Sequence, residues 1–343
     1  MKKIALITGI LGQDGAYLAE FLLKKKYKVI GTSRNITENN KWRLRKLKIE
    51  RKILFIELDI CKSKKIEKII KKYKVTEIYN FAAQSYVSKS FLYPVETANV
   101  NALGVIKMLE AIRLTNPKIK FYQASSSEMF GNTGLRLQQE EYSYFNPQSP
   151  YAISKLFGHN ITRNYRNSYN LFAVSGILFN HDSPLRGDDF IIKKIIVGLI
   201  KIILKKKKFI EVGNIYSRRD WGYAKEFVTQ IWKMMQLKKP EDFIIATGKT
   251  HSIKEFINIS TKYLKLDVKW VGYGKNEKLI NKKNNKIIIK INSKFFRPSE
   301  INYSKGNINK ATKNLKWKPN TTFKELVKLM IDDELKKLIK YEK

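Results

Sequence analysis

The residues best suited to chemistry lie in the middle of the chain. Tyr151 and Lys155 stand four apart in Tyr-Ala-Ile-Ser-Lys. On a helix that spacing puts the phenol and the ammonium on one face. A neighbouring ammonium favours the phenolate and lowers its pKa. Tyr151 is therefore a candidate base for a hydroxyl proton while a hydride leaves the same carbon. Upstream, Ser125-Ser126-Ser127-Glu128 follows the apolar run 121–124. Serine hydroxyls there can hydrogen-bond a substrate oxygen. Glu128 adds a carboxylate able to move a carbon-bound proton, which plain dehydrogenation does not require. Each signal alone has an ordinary counterpart: Tyr-x-x-x-Lys recurs by chance on helices, and a serine run makes turns and caps.

A third feature gives them context. Thr8-Gly9-Ile10-Leu11-Gly12-Gln13-Asp14-Gly15 follows an apolar run near the N-terminus and opens a helical pattern. Gly9 permits a tight turn, Gly12 lets the backbone approach a diphosphate, and Gly15 allows close helix–strand packing. The helix N-terminus then offers N–H groups and a positive dipole end to phosphates. The second apolar run ends at Ser33-Arg34. An acid there favours NAD through the ribose hydroxyls, whereas an arginine can pair with a 2′-phosphate, so NADP is expected. The other reading of Arg34 is one more solvated charge in a basic chain. Asp59-Ile60, after the third run, is placed near the adenine or in a plain strand-end turn.

These residues need a frame. Short apolar, β-rich runs occur at 4–7, 28–32, 53–58, 77–81, 121–124 and 172–178, separated by helical spacing at 17–25, 66–73, 102–114 and 152–169. Strand and helix in alternation imply an α/β fold, a doubly wound parallel sheet of the Rossmann type. After about Phe179 the pattern loosens. The helix 224–237 and run 243–246 are expected to return to the first sheet, 190–204 and 324–339 read as amphipathic helices, and the Lys- and Asn-rich stretch 274–287 reads as an exposed loop. A smaller, discontinuous C-terminal substrate lobe follows.

The chain has 343 residues, 43% hydrophobic, ample for a large core. Its formal net charge of +38 admits an anionic partner. Lys recurs everywhere, however, and no basic block forms a nucleic-acid motif, so biased usage is the simpler reading and no specific nucleic acid is expected. The run 190–204 is too short and too charged to span a bilayer, so no membrane is expected. Cys61 is the only cysteine, which excludes an intrachain disulfide and fits the cytoplasm.

Together the glycine turn, the serine strand end and Tyr-x-x-x-Lys resemble the extended short-chain dehydrogenase/reductase family. Further stretches narrow the resemblance to the GDP-mannose 4,6-dehydratases. They are Tyr79-Asn-Phe-Ala-Ala-Gln-Ser85, Tyr122-Gln-Ala-Ser-Ser-Ser-Glu128, Phe179-Asn-His-Asp-Ser-Pro184 with Arg186-Gly187, Arg218-Arg-Asp-Trp-Gly-Tyr-Ala224, Ala246-Thr-Gly-Lys-Thr-His251 and Phe296-Arg-Pro-Ser-Glu300. The resemblance implies NADP held by Gly9, Gly12, Gln13, Asp14, Gly15 and Arg34, with Asp59, Ile60, Ala82, Ala83, Gln84 and Ser85 along the adenosine and diphosphate path. It makes Tyr151 and Lys155 the redox pair and Glu128 the acid/base. Ser126 stands where the family usually has threonine. His181 and Arg186 would help hold the cofactor. Asn180, Lys194, Arg219, Arg297 and Glu300 would hold the GDP part of GDP-mannose, with Ser85, Ser126 and Glu128 at the sugar. Residues 1–179 plus about 222–247 would form the NADP-binding domain, and 180–221 plus about 248–343 the nucleotide-sugar lobe.

The resemblance is incomplete. Tyr86 stands where histidine is frequent, and Glu96 replaces a tyrosine that can line the cofactor site. The stretch 36–51 matches poorly where relatives carry a loop that helps tetramers form. A homodimer or homotetramer is expected without the size being determined. A GDP-4-keto-6-deoxymannose reductase, another nucleotide-sugar dehydratase and a degenerate polyanion binder are the competing readings. Ser127-Glu128 stands where dTDP-glucose dehydratases show Asp-Glu.

Overall fold

The structure is a computed structural model that describes residues 3–132 and 137–341. Six strands of the first half, β1 (Ile4–Thr8), β2 (Lys28–Ser33), β3 (Ile53–Glu57), β4 (Glu77–Asn80), β5 (Lys120–Ser126) and β6 (Ala173–Leu178), coincide with the apolar runs. The chain then forms β7 (Asn180–Asp182), β8 (Ile210–Val212) and β9 (Arg218–Tyr223) before β10 (Phe243–Ile245) returns to the first sheet. The resulting sheet has the order β10-β6-β5-β4-β1-β2-β3 and is parallel throughout.

Both faces of this sheet are dry. On β1, Ala5 and Ile7 pack into one core beneath the helices Gln13–Lys24 and Ala224–Gln236, while Leu6 packs into the other beneath Ser63–Tyr73 and Gly104–Thr115. A strand buried on both faces reads as a continuous apolar run, which is why β1, β2, β4, β5 and β6 stood out in the sequence, while the edge strand β3 is only partly covered. The strand order reverses between β1 and β4, and ligands in such sheets bind in the crevice beyond the carboxyl ends at that point.

The second lobe is woven around this frame. It holds a sheet of β11 (Thr250–Ser252), β9 and β15 (Tyr303–Ser304), with β7 also on β9. A second sheet runs β12 (Val268–Val271), β13 (Lys278–Asn281), β14 (Ile287–Ile291), β8. Their core is shared with the helices Ile191–Ile203, Ile253–Tyr263 and Phe323–Tyr341. The expectation of an exposed loop at 274–287 is corrected here. β13 is an interior strand, and Leu279 lies fully buried within it. Its apolar pair Leu279-Ile280 is too short to show against the surrounding Lys and Asn. Asp220 of β9 joins the lobes. Its carboxylate accepts from the Thr247 amide at 2.7 Å, the Thr247 hydroxyl at 2.6 Å and the Gly248 amide at 2.8 Å. Burial pushes its pKa up to about 6 despite these donors.

The helix Pro150–Tyr169 carries Tyr151 and Lys155 and is set at both ends. Ser149 caps its first turn through a bond from the Ala152 amide at 3.1 Å, and Pro150 occupies a position where no N–H is needed. Near its far end Arg166 forms a two-pronged pair with Asp242 at 2.8 and 2.7 Å, and Asp242 also accepts from the Ser175 amide of β6 at 2.7 Å. Burial raises the Asp242 pKa, but Arg166 outweighs it and holds the carboxyl below its usual value. Arg166→Ala is expected to cost about 3 kcal/mol in urea unfolding at neutral pH, because it strands a buried carboxylate. A depressed folded-state pKa contributes stability above the ordinary Asp value and loses it as pH falls through the folded one. The deficit should therefore shrink as the medium is acidified below about pH 4.

Candidate active site

The glycine turn sits at the strand-order reversal. Gly9 has φ +66°, and a Cβ there would lie 2.9 Å from the backbone of Phe81 and Ala82 at the end of β4. A Cβ on Gly15 would lie 2.5 Å from the Gly9 carbonyl. Gly12 begins the helix Gln13–Lys24 with no side-chain cap, so its first amides are not met by a side chain. This close, uncapped turn fits a dinucleotide diphosphate. The side chain of Gln13 is directed elsewhere: its oxygen accepts from the Ser183 hydroxyl at 2.7 Å, and its amide donates to the His181 carbonyl at 3.2 Å. It locks the turn to the start of the second lobe.

Beneath the turn runs a buried chain of side-chain hydrogen bonds. Thr8 Oγ1 donates to Asn80 Oδ1 at 2.6 Å and accepts from the Ala82 amide at 3.1 Å. Asn80 Nδ2 donates to Gln123 Oε1 at 2.8 Å, and Gln123 Nε2 donates to the Ala124 carbonyl at 3.1 Å. Lys155 Nζ donates to that same carbonyl at 2.9 Å. The carboxyl ends of β1, β4 and β5 are thereby fixed to one another and to the helix of Tyr151.

A cavity of about 350 Å³ opens above this chain. Ser126, Glu128, Tyr151 and Lys155 line it together, with Asp14, Ala83, Ser85, Asn180, His181, Arg186 and Arg297 around them. The Tyr151 phenol faces the Ser126 side chain, which favours its ionised form. Ser126 Oγ accepts the Glu128 amide at 3.2 Å, and the Glu128 carboxylate lies 3.5 Å from Arg297. Arg219 is buried and pairs with Glu300 at 3.2 Å on the same side; burial lowers its pKa. Lys194 is half-buried, with its ammonium 4.4 Å from the centre of the Phe295 ring. A larger cavity of about 1150 Å³ lies at the opposite end of β1–β3 among lysines, and none of the sequence-predicted site residues line it.

The expected depression of the phenol is not observed. Burial pushes Tyr151 up to about 12, with a smaller downward pull from the neighbouring Ser126 side chain. Burial also pushes Lys155 down to about 8. The ammonium points at a carbonyl, 5.8 Å from the centre of the phenol ring, so its attraction for a phenolate is weaker than the burial of both groups. Helical spacing gives the shared face but not the depth of burial.

Among the residues expected to take the adenosine, Asp59 accepts the Cys61 amide at 3.0 Å, a strand-end turn, and buried Ile60 lies where a Cβ on Gly104 would strike it. Gln84 is held by Asn101 in both directions, its amide donating at 2.9 Å and its carbonyl accepting at 3.0 Å. Arg34 reaches across from the end of β2 to Glu96 at 3.2 Å. Sequence reasoning missed Arg43. It donates to the Leu185 carbonyl at 2.7 Å and the Leu11 carbonyl at 2.8 Å, pinning the glycine turn from outside. It lies in the poorly matching stretch, and its partners are remote or adjacent only in space. Tyr86, noted as a departure, stacks on Phe190 at 4.7 Å between ring centres.

Comparison with known proteins adds the following. The family described as GDP-mannose 4,6 dehydratase matches residues 6–330. The GDP-mannose 4,6 dehydratase of Drosophila melanogaster is 42% identical over 341 residues, covering 97% of this chain and 86% of that protein. The Homo sapiens protein of the same name is 42% identical over 339 residues, covering 96% and 91%. Among solved structures, DesIV, a dTDP-glucose 4,6-dehydratase from Streptomyces venezuelae, superposes with a TM-score of 0.83 at 18% identity, covering 97% of both chains. At that identity the likeness speaks for the doubly wound fold alone.

The Asp14–His181 pair yields a test. The imidazole lies 2.9 Å from the carboxylate, and its other nitrogen, Nδ1, donates to the Phe179 carbonyl at 2.7 Å. Burial pushes Asp14 up and His181 down, but their mutual attraction outweighs it in both, leaving Asp14 below and His181 above its usual value. The pair therefore stabilises the fold above the ordinary Asp pKa and below the ordinary His pKa, and its contribution fades as pH rises through the His181 value. In an NMR titration His159 should titrate near 4 and His251 below its usual value, both through burial, with His181 above. Asp14→Asn should move His181 alone downwards; a His181 titration unchanged by that substitution would show that the pair does not form in solution.

Proposed function

The chain belongs to the GDP-mannose 4,6-dehydratase family, whose members are lyases, and on that footing we propose that it converts GDP-mannose to GDP-4-dehydro-6-deoxy-D-mannose and water with a tightly held NADP. The observation that carries this reading is the common wall formed by Ser126, Glu128, Tyr151 and Lys155 in one cavity. The nicotinamide, when bound, supplies a place for the hydride between C4 and C6, so the reaction needs no net oxidant.

The protein's own groups do the rest. Tyr151, beside Ser126 in the cavity wall, takes the proton of the C4 hydroxyl. The nearby Lys155 charge compensates the phenolate that this step requires. The resulting 4-ketone acidifies the C5–H. Glu128 removes that proton and passes it to the hydroxyl leaving C6 as water, and as C6 takes the hydride back the proton held by Tyr151 returns to C5. Arg297 beside Glu128 and Arg219 beside Glu300 supply the guanidinium donors that a diphosphate would take at this end of the cavity. Three carbons react without release, so the distances among these side chains matter more than any single contact.

NADP rather than NAD is supported by Arg34 at the end of β2, where an acid would favour NAD. We also place the protein in the cytoplasm, in keeping with one free cysteine. Among the described residues no helix is long and apolar enough to cross a membrane. A homodimer or homotetramer is supported by exposed Leu92, Val95, Ile153 and Phe157 on helices that pack beside one another.

Incubation with GDP-mannose followed by mass analysis should show loss of one water and no net change in NADPH. Stoichiometric NADPH consumption would instead indicate a reductase. Glu128→Gln should retain binding of nucleotide sugar and dinucleotide but lose dehydration by about a hundredfold or more. Full activity in that variant would remove Glu128 from the acid/base role.

A further inference from the structure

We propose that Glu96 sets how far this protein prefers a 2′-phosphorylated dinucleotide over its unphosphorylated counterpart, a proposal that rests on the reading of Arg34 given above. Glu96 lies on the short helix Pro94–Ala98, on the β4 side of the crevice. Its carboxylate meets the Arg34 guanidinium at 3.2 Å. The two side chains are 51% and 59% exposed, so packing does not require the contact. Their meeting places one anion and one cation at the mouth of the adenosine end.

The two charges favour different ligands. A guanidinium presents a planar fork of donors suited to a phosphate, and a carboxylate already on that fork must be displaced first. Once displaced, it remains close to a group carrying nearly two negative charges, which it repels. An unphosphorylated ribose reverses the balance. Its 2′-hydroxyl is a donor, and a carboxylate is the partner that NAD-binding sheets of this type use for it. In those sheets the acid comes from the end of β2. Here β2 ends in Arg34 and the acid comes from across the crevice. Asp59 turns one of its carboxylate oxygens back on the Cys61 amide in its own turn. Arg34 thus favours the phosphate, Glu96 opposes it, and the affinities for the two dinucleotides are drawn together.

Full-length protein freed of bound dinucleotide, titrated calorimetrically with NADP and with NAD, tests this through dissociation constants rather than turnover. Wild type, Glu96→Gln and Arg34→Gln suffice, and all three should fold because both side chains are largely exposed. Glu96→Gln removes the charge at constant size. It should raise the ratio of NADP to NAD affinity by about tenfold, through tighter NADP and weaker NAD. Arg34→Gln should lower NADP affinity and leave NAD nearly unchanged. A ratio in Glu96→Gln within about twofold of wild type, with NADP binding weakened in Arg34→Gln, overturns the role of Glu96 and leaves the NADP reading standing. A ratio unchanged in Arg34→Gln overturns the NADP reading, and the proposal with it.

Discussion

The site depends on a buried cation. Lys155 places its ammonium beneath the cavity and donates to the Ala124 carbonyl. An unpaired buried charge is costly, and this one is met by a backbone dipole at the end of a polar relay through Gln123, Asn80 and Thr8. The relay couples the glycine turn, the serine strand end and the helix that carries Tyr151. Shifting any of the three strands would leave a buried donor or acceptor unmet. The geometry of the cavity is thus enforced by the cost of breaking hydrogen bonds in the core rather than by contacts within the cavity itself.

Above the relay, carboxylates of the site are matched to cations one for one. Asp14 faces His181, Asp182 faces Arg186, Glu128 faces Arg297 and Glu300 faces Arg219. Acids are scarce in a chain with 30 of them against 68 basic residues, and several are spent at junctions between elements, as Asp220 and Asp242 are. The excess of lysine elsewhere decorates surfaces, including the larger cavity at the far end of the sheet. The high net charge therefore says little about the site, whose own balance is nearly neutral and locally paired.

The doubly wound sheet and the central constellation were legible because they rest on local spacing. Apolar runs, a glycine turn and a four-residue helical interval need no knowledge of distant neighbours. What was hidden depends on distant neighbours. Arg43 acts through the Leu11 and Leu185 carbonyls, which no periodicity reveals. Lys193 reads as a polar position of an amphipathic helix, yet it is fully buried against Glu334 from the last helix. β13 was obscured by Lys278 and Asn281, which flank its short apolar pair. The raised Tyr151 pKa follows from burial depth, which spacing on one helix cannot express.

The return of β10 to the edge of the first sheet bears on synthesis. Phe243–Ile245 pairs with Gly176–Leu178, and the helix preceding it covers the helix of the glycine turn. A ribosome emits β1 to β6 well before either piece exists. During that interval the nascent chain carries a bare β6 edge and an uncovered apolar helix face, both prone to pair with the wrong partner. β7, β8 and β9 emerge in the meantime, so the first lobe closes only after the first part of the second has emerged, and before its larger part, which follows β10. Chaperone demand should accordingly fall on a window of translation rather than on the finished protein.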